Sequence, residues 1–160
     1  LMGSGTILLE VIEAAELLQK DFGIAADIWS VTSFNELRRN ALATERWNQL
    51  HPEEKPRQSY LDATLAHRDG PYIAATDYMQ IVPDQIHKWM PDNYVTLGTD
   101  GFGRSDSRKA LRRFFEVDRY YIVVATLKAL ADDNKLEKKI VSQAIQLYEI
   151  DSEKLDPVVC

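Results

Sequence analysis

Apolar positions along this chain switch repeatedly between helical spacing and short unbroken runs. Leu8, Val11, Ile12, Ala15, Leu18 and Phe22 recur at three- and four-residue steps, which is one face of an amphipathic helix. Gly23 stands where a left-handed C-terminal cap belongs. Ile28-Trp29-Ser30-Val31-Thr32 reads as a strand. Ser33 and Glu36 then have capping-box spacing, which predicts a helix running on through Leu37 and Ala41 towards Leu50. His51-Pro52-Glu53-Glu54-Lys55-Pro56, bracketed by prolines, reads as a loop. Tyr60, Leu61 and Leu65 suggest a short helix. Gly70-Pro71 turns into a strand at Tyr72-Ile73-Ala74-Ala75-Thr76. Val82, Ile86, Trp89 and Met90 mark a helix that tolerates Pro83 only in its first turn. Pro91-Asp92-Asn93 leads into a further strand at Tyr94-Val95-Thr96-Leu97.

Two glycine-rich corners join strands to helices. The first, Gly3-Ser4-Gly5-Thr6, follows Leu1-Met2, which reads as the tail of a strand already in progress, so a fragment or processed product is expected. The second, Gly98-Thr99-Asp100-Gly101-Phe102-Gly103-Arg104-Ser105-Asp106, has three glycines that let the backbone reach positive φ and approach a neighbour closely. Ser105 or Asp106 is expected to cap the helix that follows, over Ser107 to Phe115. Asp118 is placed to cap a helix from Arg119 to about Asp132, in spite of the β-prone run Tyr121-Ile122-Val123-Val124. Leu136, Ile140, Val141, Ala144 and Tyr148 mark a final helix. Residues 151–160 read as a surface tail beyond a single domain at 1–150. The alternation of strand and helix predicts an α/β fold: a three-layer sandwich with a mainly parallel sheet and helices on both faces.

Composition narrows the chemistry. The 160 residues are 45% hydrophobic and 28% charged, as in a globular chain. A net charge of −6 disfavours a nucleic-acid partner, because neutralising phosphates needs a concentrated positive surface. Cys160, the single cysteine, builds no disulfide framework or thiolate metal site within one chain, which suits a reducing compartment. No apolar run approaches the roughly 20 residues of a membrane span. His51, His67 and His87 have no helical metal-site spacing, and no serine sits in a Gly-x-Ser-x-Gly elbow. Spacing thus assigns no metal-ligating residue; Ser, His and Asp are common enough that a dispersed triad stays open, and no catalytic or cofactor-binding residue is named.

Two patterns remain as candidate contacts. Ser4, Gly5 and Thr6 either offer N–H groups to an anion or make a tight turn for close packing. Gly101, Phe102, Gly103, Arg104 and Arg108 lie in the most basic part of the chain. That part is a solvated face balanced by Glu116 and Asp118, a domain or subunit interface, or a phosphate site. Trp47, beside Glu45 and Arg46, is a candidate core or interface residue.

The second corner, followed by Phe115-Glu116-Val117-Asp118, resembles the C-terminal domain of the homodimeric pyruvate dehydrogenases. Similar stretches extend the resemblance over nearly the whole chain: Ser30-Val31-Thr32-Ser33-Phe34, Glu45-Arg46-Trp47-Asn48, His51-Pro52, Thr76-Asp77-Tyr78-Met79 and Tyr121-Ile122-Val123-Val124-Ala125. The resemblance implies a transketolase C-terminal-domain-like fold in a bacterial, cytoplasmic homodimer. The full enzyme would use thiamin diphosphate and Mg²⁺ to decarboxylate pyruvate oxidatively. It would pass the acetyl group to the lipoyl group of a dihydrolipoyl acetyltransferase partner. Family members hold the cofactor between preceding domains, so the resemblance implies a structural, dimer-supporting role here, with no cofactor bound. It also implies that the first strand, and an edge strand before it, begin earlier than Leu1, leaving a sheet edge exposed to self-association. A stand-alone phosphate-ligand-binding module, and the same domain of a related 2-keto acid dehydrogenase or transketolase, remain as alternatives.

Overall fold

The computed structural model describes residues 1–91 and 93–159; Asp92 and Cys160 lie outside the described residues. Four strands form one sheet: β1 (Met2–Gly3), β2 (Trp29–Ser30), β3 (Tyr72–Ala75) and β4 (Tyr94–Leu97). Their order is β2-β1-β3-β4 and every pairing is parallel. β3 and β4 pair in register from Tyr72 opposite Tyr94 to Ala75 opposite Leu97. The run at 28–32 contributes only Trp29 and Ser30 to the ladder, because its partner β1 is itself two residues long. β1 lies inside the sheet, and the edges are β2 and β4.

Among the described residues, seven α-helices flank the sheet: α1 (Leu8–Phe22), α2 (Phe34–Leu50), α3 (Tyr60–Leu65), α4 (Ile81–Asp84), α5 (Arg108–Phe114), α6 (Arg119–Asp132) and α7 (Lys138–Leu147). The period-2 alternation of β3 separates two cores. Ile73 and Ala75 face one, packed with Val11, Leu18, Ile122, Leu127 and Ala144 from α1, α6 and α7. Tyr72 and Ala74 face the other, packed with Phe34, Leu61, Leu65 and Ile86 from the α2–α4 side. The result is the expected three-layer α/β/α sandwich with an all-parallel sheet.

The caps follow the local chemistry. Gly23 ends α1 in the left-handed region at φ 68°. Ser33 caps α2 by accepting from Glu36 N–H at 3.2 Å, but the Glu36 carboxylate turns to Arg39 and leaves the reciprocal half of the box unmade. The complete capping box is at α3, where Ser59 Oγ accepts from Asp62 N–H and Asp62 Oδ2 accepts from Ser59 N–H, both at 3.1 Å. Asp118 caps α6, its Oδ1 accepting from Tyr120 and Tyr121 N–H at 3.0 Å each. This cap and burial between α1 and α7 hold the β-prone run as helix.

Candidate functional site at the two glycine corners

The two corners converge at the C-terminal end of the sheet. The order of strands reverses between β1 and β3, the place where open parallel sheets bind ligands beyond their carboxyl ends. In this chain Asp77 stands over the first corner, on the wall of that crevice. Buried Ser4 donates through Oγ to Thr76 Oγ1 at 2.7 Å. Thr6 Oγ1 donates to Asp77 Oδ2 at 3.2 Å. Gly5, at φ 56°, lies so close to Asp77 that a Cβ there would stand 2.7 Å from Oδ1. The Asp77 carboxylate therefore occupies the position that an anion at Ser4-Gly5-Thr6 would need, and it repels a phosphate there.

The second corner is stitched to the same loop. Thr99 N–H donates to Tyr78 O at 2.9 Å and Thr99 Oγ1 donates to Asp77 O at 2.8 Å. Gln80 N–H donates to Asp100 Oδ2 at 2.9 Å, and Gln80 Nε2 donates to Thr96 O at 2.7 Å. Gly98 has no space for a side chain, since a Cβ would stand 2.3 Å from the Gln80 nitrogen. Gly101, at φ 112°, faces Pro157 O at the same 2.3 Å. Gly103 differs: a Cβ there meets nothing within 4 Å and its φ is not positive, so neither reason for glycine applies. The helix cap also differs from expectation. Ser107 caps α5 by accepting from Ala110 N–H, while the Asp106 carboxylate turns to the Ser107 N–H at 2.6 Å.

Thr6, Asp77, Gly101, Gly103, Arg104 and Arg108 line one cleft of about 550 Å³. Arg104 stacks its guanidinium 4.0 Å from the Phe114 ring centroid, and Phe102 is 78% exposed. Trp47 lies elsewhere, at the far end of α2. There His51 stacks on it at 4.3 Å and Arg57 covers its ring at 3.7 Å, while His51 Nδ1 lies 2.8 Å from Trp47 O. Seven of the nine sequence candidates are thus at one end of the sheet in contact or near contact. Ser4 is buried beneath them, and Trp47 belongs to a separate surface.

The basic run is not a solvated face throughout. Arg112 Nη1 donates to Glu10 Oε1 at 2.7 Å and Arg113 Nη2 donates to Tyr148 O at 2.7 Å. Asp118 faces Arg113 at 3.4 Å, and Glu116 is taken by Lys154 at 2.6 Å. Lys154 also donates to Phe114 O at 2.8 Å, at the end of α5, and Pro157 lies against Gly101 of the second corner. Glu10 is 4% exposed and also accepts from Arg119 N–H and Nε. Burial pushes its carboxyl up, but the Arg119 hydrogen bonds and the charges of Arg119 and Arg112 outweigh that and hold it below the ordinary glutamate range. For Asp118 the balance runs the other way: burial raises it in spite of the Tyr121 N–H and Arg113.

Residues 1–118 match the family model described as the transketolase-like TK C-terminal domain. The chain belongs to this family. Within it, 62% of 161 aligned residues are identical to the pyruvate dehydrogenase E1 component of Pseudomonas aeruginosa, an alignment that covers all of the chain and 18% of that protein. The E1 component of Escherichia coli K12 is 51% identical over 158 residues, covering 98% of the chain and 18% of the relative. That of Mycolicibacterium smegmatis is 45% identical over 151 residues, covering 94% and 16%. This transketolase-like domain therefore spans less than a fifth of the length of these curated relatives.

Sequence reasoning missed Asp77 and Glu10. Asp77 carried no local signal, because its partners are Thr6 and Gly5, some seventy residues away. Glu10 did carry one: it falls in helical register with Ile7 and Ala14, a charged residue on an otherwise apolar stripe. Among the described residues, no three His, Cys, Asp or Glu side chains come together to hold a metal ion, and no helix is long and apolar enough to cross a membrane.

Proposed function

We propose that this chain is the C-terminal domain of a pyruvate dehydrogenase E1 component of the homodimeric type, with a structural, dimer-supporting role. The observation that carries this reading is 62% identity across the whole chain to a protein of that name. The complete enzyme would decarboxylate pyruvate oxidatively and deliver the acetyl group to the lipoyl group of a dihydrolipoyl acetyltransferase, in the bacterial cytoplasm. Thiamin diphosphate and Mg²⁺ would act elsewhere in the enzyme. At the crevice where a diphosphate would approach the first corner, this domain presents the Asp77 carboxylate.

The thermal midpoint of the chain with and without thiamin diphosphate and Mg²⁺, set beside pyruvate decarboxylation by the native polypeptide, tests the reading. Activity in the native polypeptide with no shift in this domain is the expected result. An upward shift of about 2.7 kcal/mol in stability at a ligand concentration of about 100 times Kd would assign a binding site to the domain itself. A second reading, a phosphate-ligand module, draws on one observation: Thr6, Arg104 and Arg108 share the 550 Å³ cleft. It requires that Arg104→Ala and Arg108→Ala weaken phosphate-ligand binding. Thiamin-dependent activity in the native polypeptide, but on another 2-keto acid or on a transketolase substrate, would move the domain to a related enzyme.

A further inference from the structure

Large exposed apolar side chains gather at one end of the sheet. Tyr78 (62%), Met79 (59%) and Ile81 (62%) follow β3, and Phe102 (78%) follows β4. At the opposite end the exposed groups include Asp27 and Arg68, paired at 3.0 Å. The apolar end is not a set of loose loops. The Thr6–Asp77, Thr99–Tyr78 and Gln80–Asp100 hydrogen bonds tie three loops together, and Gly98 and Gly101 are held against Gln80 and Pro157. A surface whose backbone is held by internal bonds while its aromatic and thioether side chains face outward is pre-organised for contact, because little freedom is lost when it is covered.

Charges of both signs surround this surface. Asp100 and Asp106 accept from backbone N–H groups of Gln80 and Ser107, and Asp77 accepts from Thr6. Arg104, Arg108 and Lys109 follow Phe102 on an otherwise acidic chain of net charge −6. The matching surface would have an apolar centre and a polar rim. The named relatives are more than five times as long as their match to this chain, which supplies a candidate of sufficient size within one polypeptide.

We infer that the platform of Tyr78, Met79, Ile81 and Phe102 docks against the remainder of the longer polypeptide, through an apolar surface of that remainder. This inference rests on the reading under Proposed function and adds to it the face that is covered and the chemistry that covers it. Burying these four side chains would remove exposed apolar surface at this end of the domain from water, the usual fate of such a surface.

Hydroxyl-radical footprinting of the native polypeptide tests the inference with a built-in reference. Tyr60 has the same 62% exposure as Tyr78 and lies at the start of α3, in a separate cleft with Val31 and Ser33. The expected result is oxidation of Tyr78, Met79 and Phe102 several-fold slower than the exposure of this domain dictates, with Tyr78 well below Tyr60. Equal rates at Tyr78 and Tyr60 in a full-length polypeptide would overturn the inference and leave the E1 reading standing. The intact mass of the same sample reports on that reading separately: a polypeptide no longer than this chain would remove the reading and the inference together.

Discussion

Glu10 and Arg112, 102 residues apart, meet through a 2.7 Å hydrogen bond that ties the first turn of α1 to the last turn of α5. Arg119, at the start of α6, closes on the same carboxylate. One buried charge therefore joins three helices behind the glycine corners. Removing it weakens the hold on two guanidinium groups that keep other partners, Arg119 with Glu13 and Arg112 with Thr6 O, and Glu10→Gln is expected to cost about 1–3 kcal/mol.

The same carboxylate predicts an acid limb. Its folded pKa is depressed, so its stabilisation is fully present above the unfolded value and is lost as pH falls through the lowered folded value. Thermal midpoints measured from neutral pH downwards should fall in the wild type below the ordinary glutamate range. They should fall less steeply in Glu10→Gln. Parallel slopes in the two proteins would show that Glu10 does not supply the limb.

Gly101 and Gly103 should respond differently to the same methyl group. Gly101→Ala places a Cβ against Pro157 O in a left-handed backbone, and a loss of roughly 1–3 kcal/mol is expected. Gly103→Ala should lie within about 0.5 kcal/mol of wild type, as substitutions away from special features do. Limited proteolysis should also cut near 151–159 faster in Gly101→Ala. Equal stability and equal cutting would mean that the close approach at Gly101 is not retained in solution.

Ser59→Ala should cost more than Ser33→Ala. Both serines cap helices, a contribution of about 1 kcal/mol, but Ser59 is buried and belongs to a complete reciprocal box. Urea unfolding of the two variants ranks them directly. The opposite ranking would show that the Asp62 half of the box adds nothing.

Inorganic phosphate should leave the wild-type melting temperature where neutral salt at the same ionic strength leaves it, because Asp77 already fills the first corner. Asp77→Asn removes that charge while preserving shape, and any phosphate effect should appear only there. A phosphate-specific rise in the wild type would show that the corner admits an anion.

Much of the fold was legible because it depends on neighbours in sequence. The α1 helix, the Gly23 cap and the Asp118 cap are local and form as the residues dictate, although the buried face of α1 is Val11, Ala14 and Leu18 with Glu10, and Ile12 turns outward. The helix cap after the second corner was harder. Ser105, Asp106 and Ser107 are all suitable chemically, and the choice fell to Ser107 once Asp106 turned to its N–H. The site was less legible than the fold, because Asp77, Pro157 and Lys154 act across long separations. The polar stretch at 151–156 gives no local hint that Lys154 closes on the end of α5 and Pro157 on Gly101.

The alternation along β3 has a consequence for how the domain is lost. Tyr72 and Ala74 serve one core, Ile73 and Ala75 the other, and all four are buried. Neither helical layer can melt without stripping half of the contacts from a strand that the other layer also needs. Two oily compartments are thereby made into one cooperative unit, with the peptide planes of a four-residue strand as the mechanical link between them.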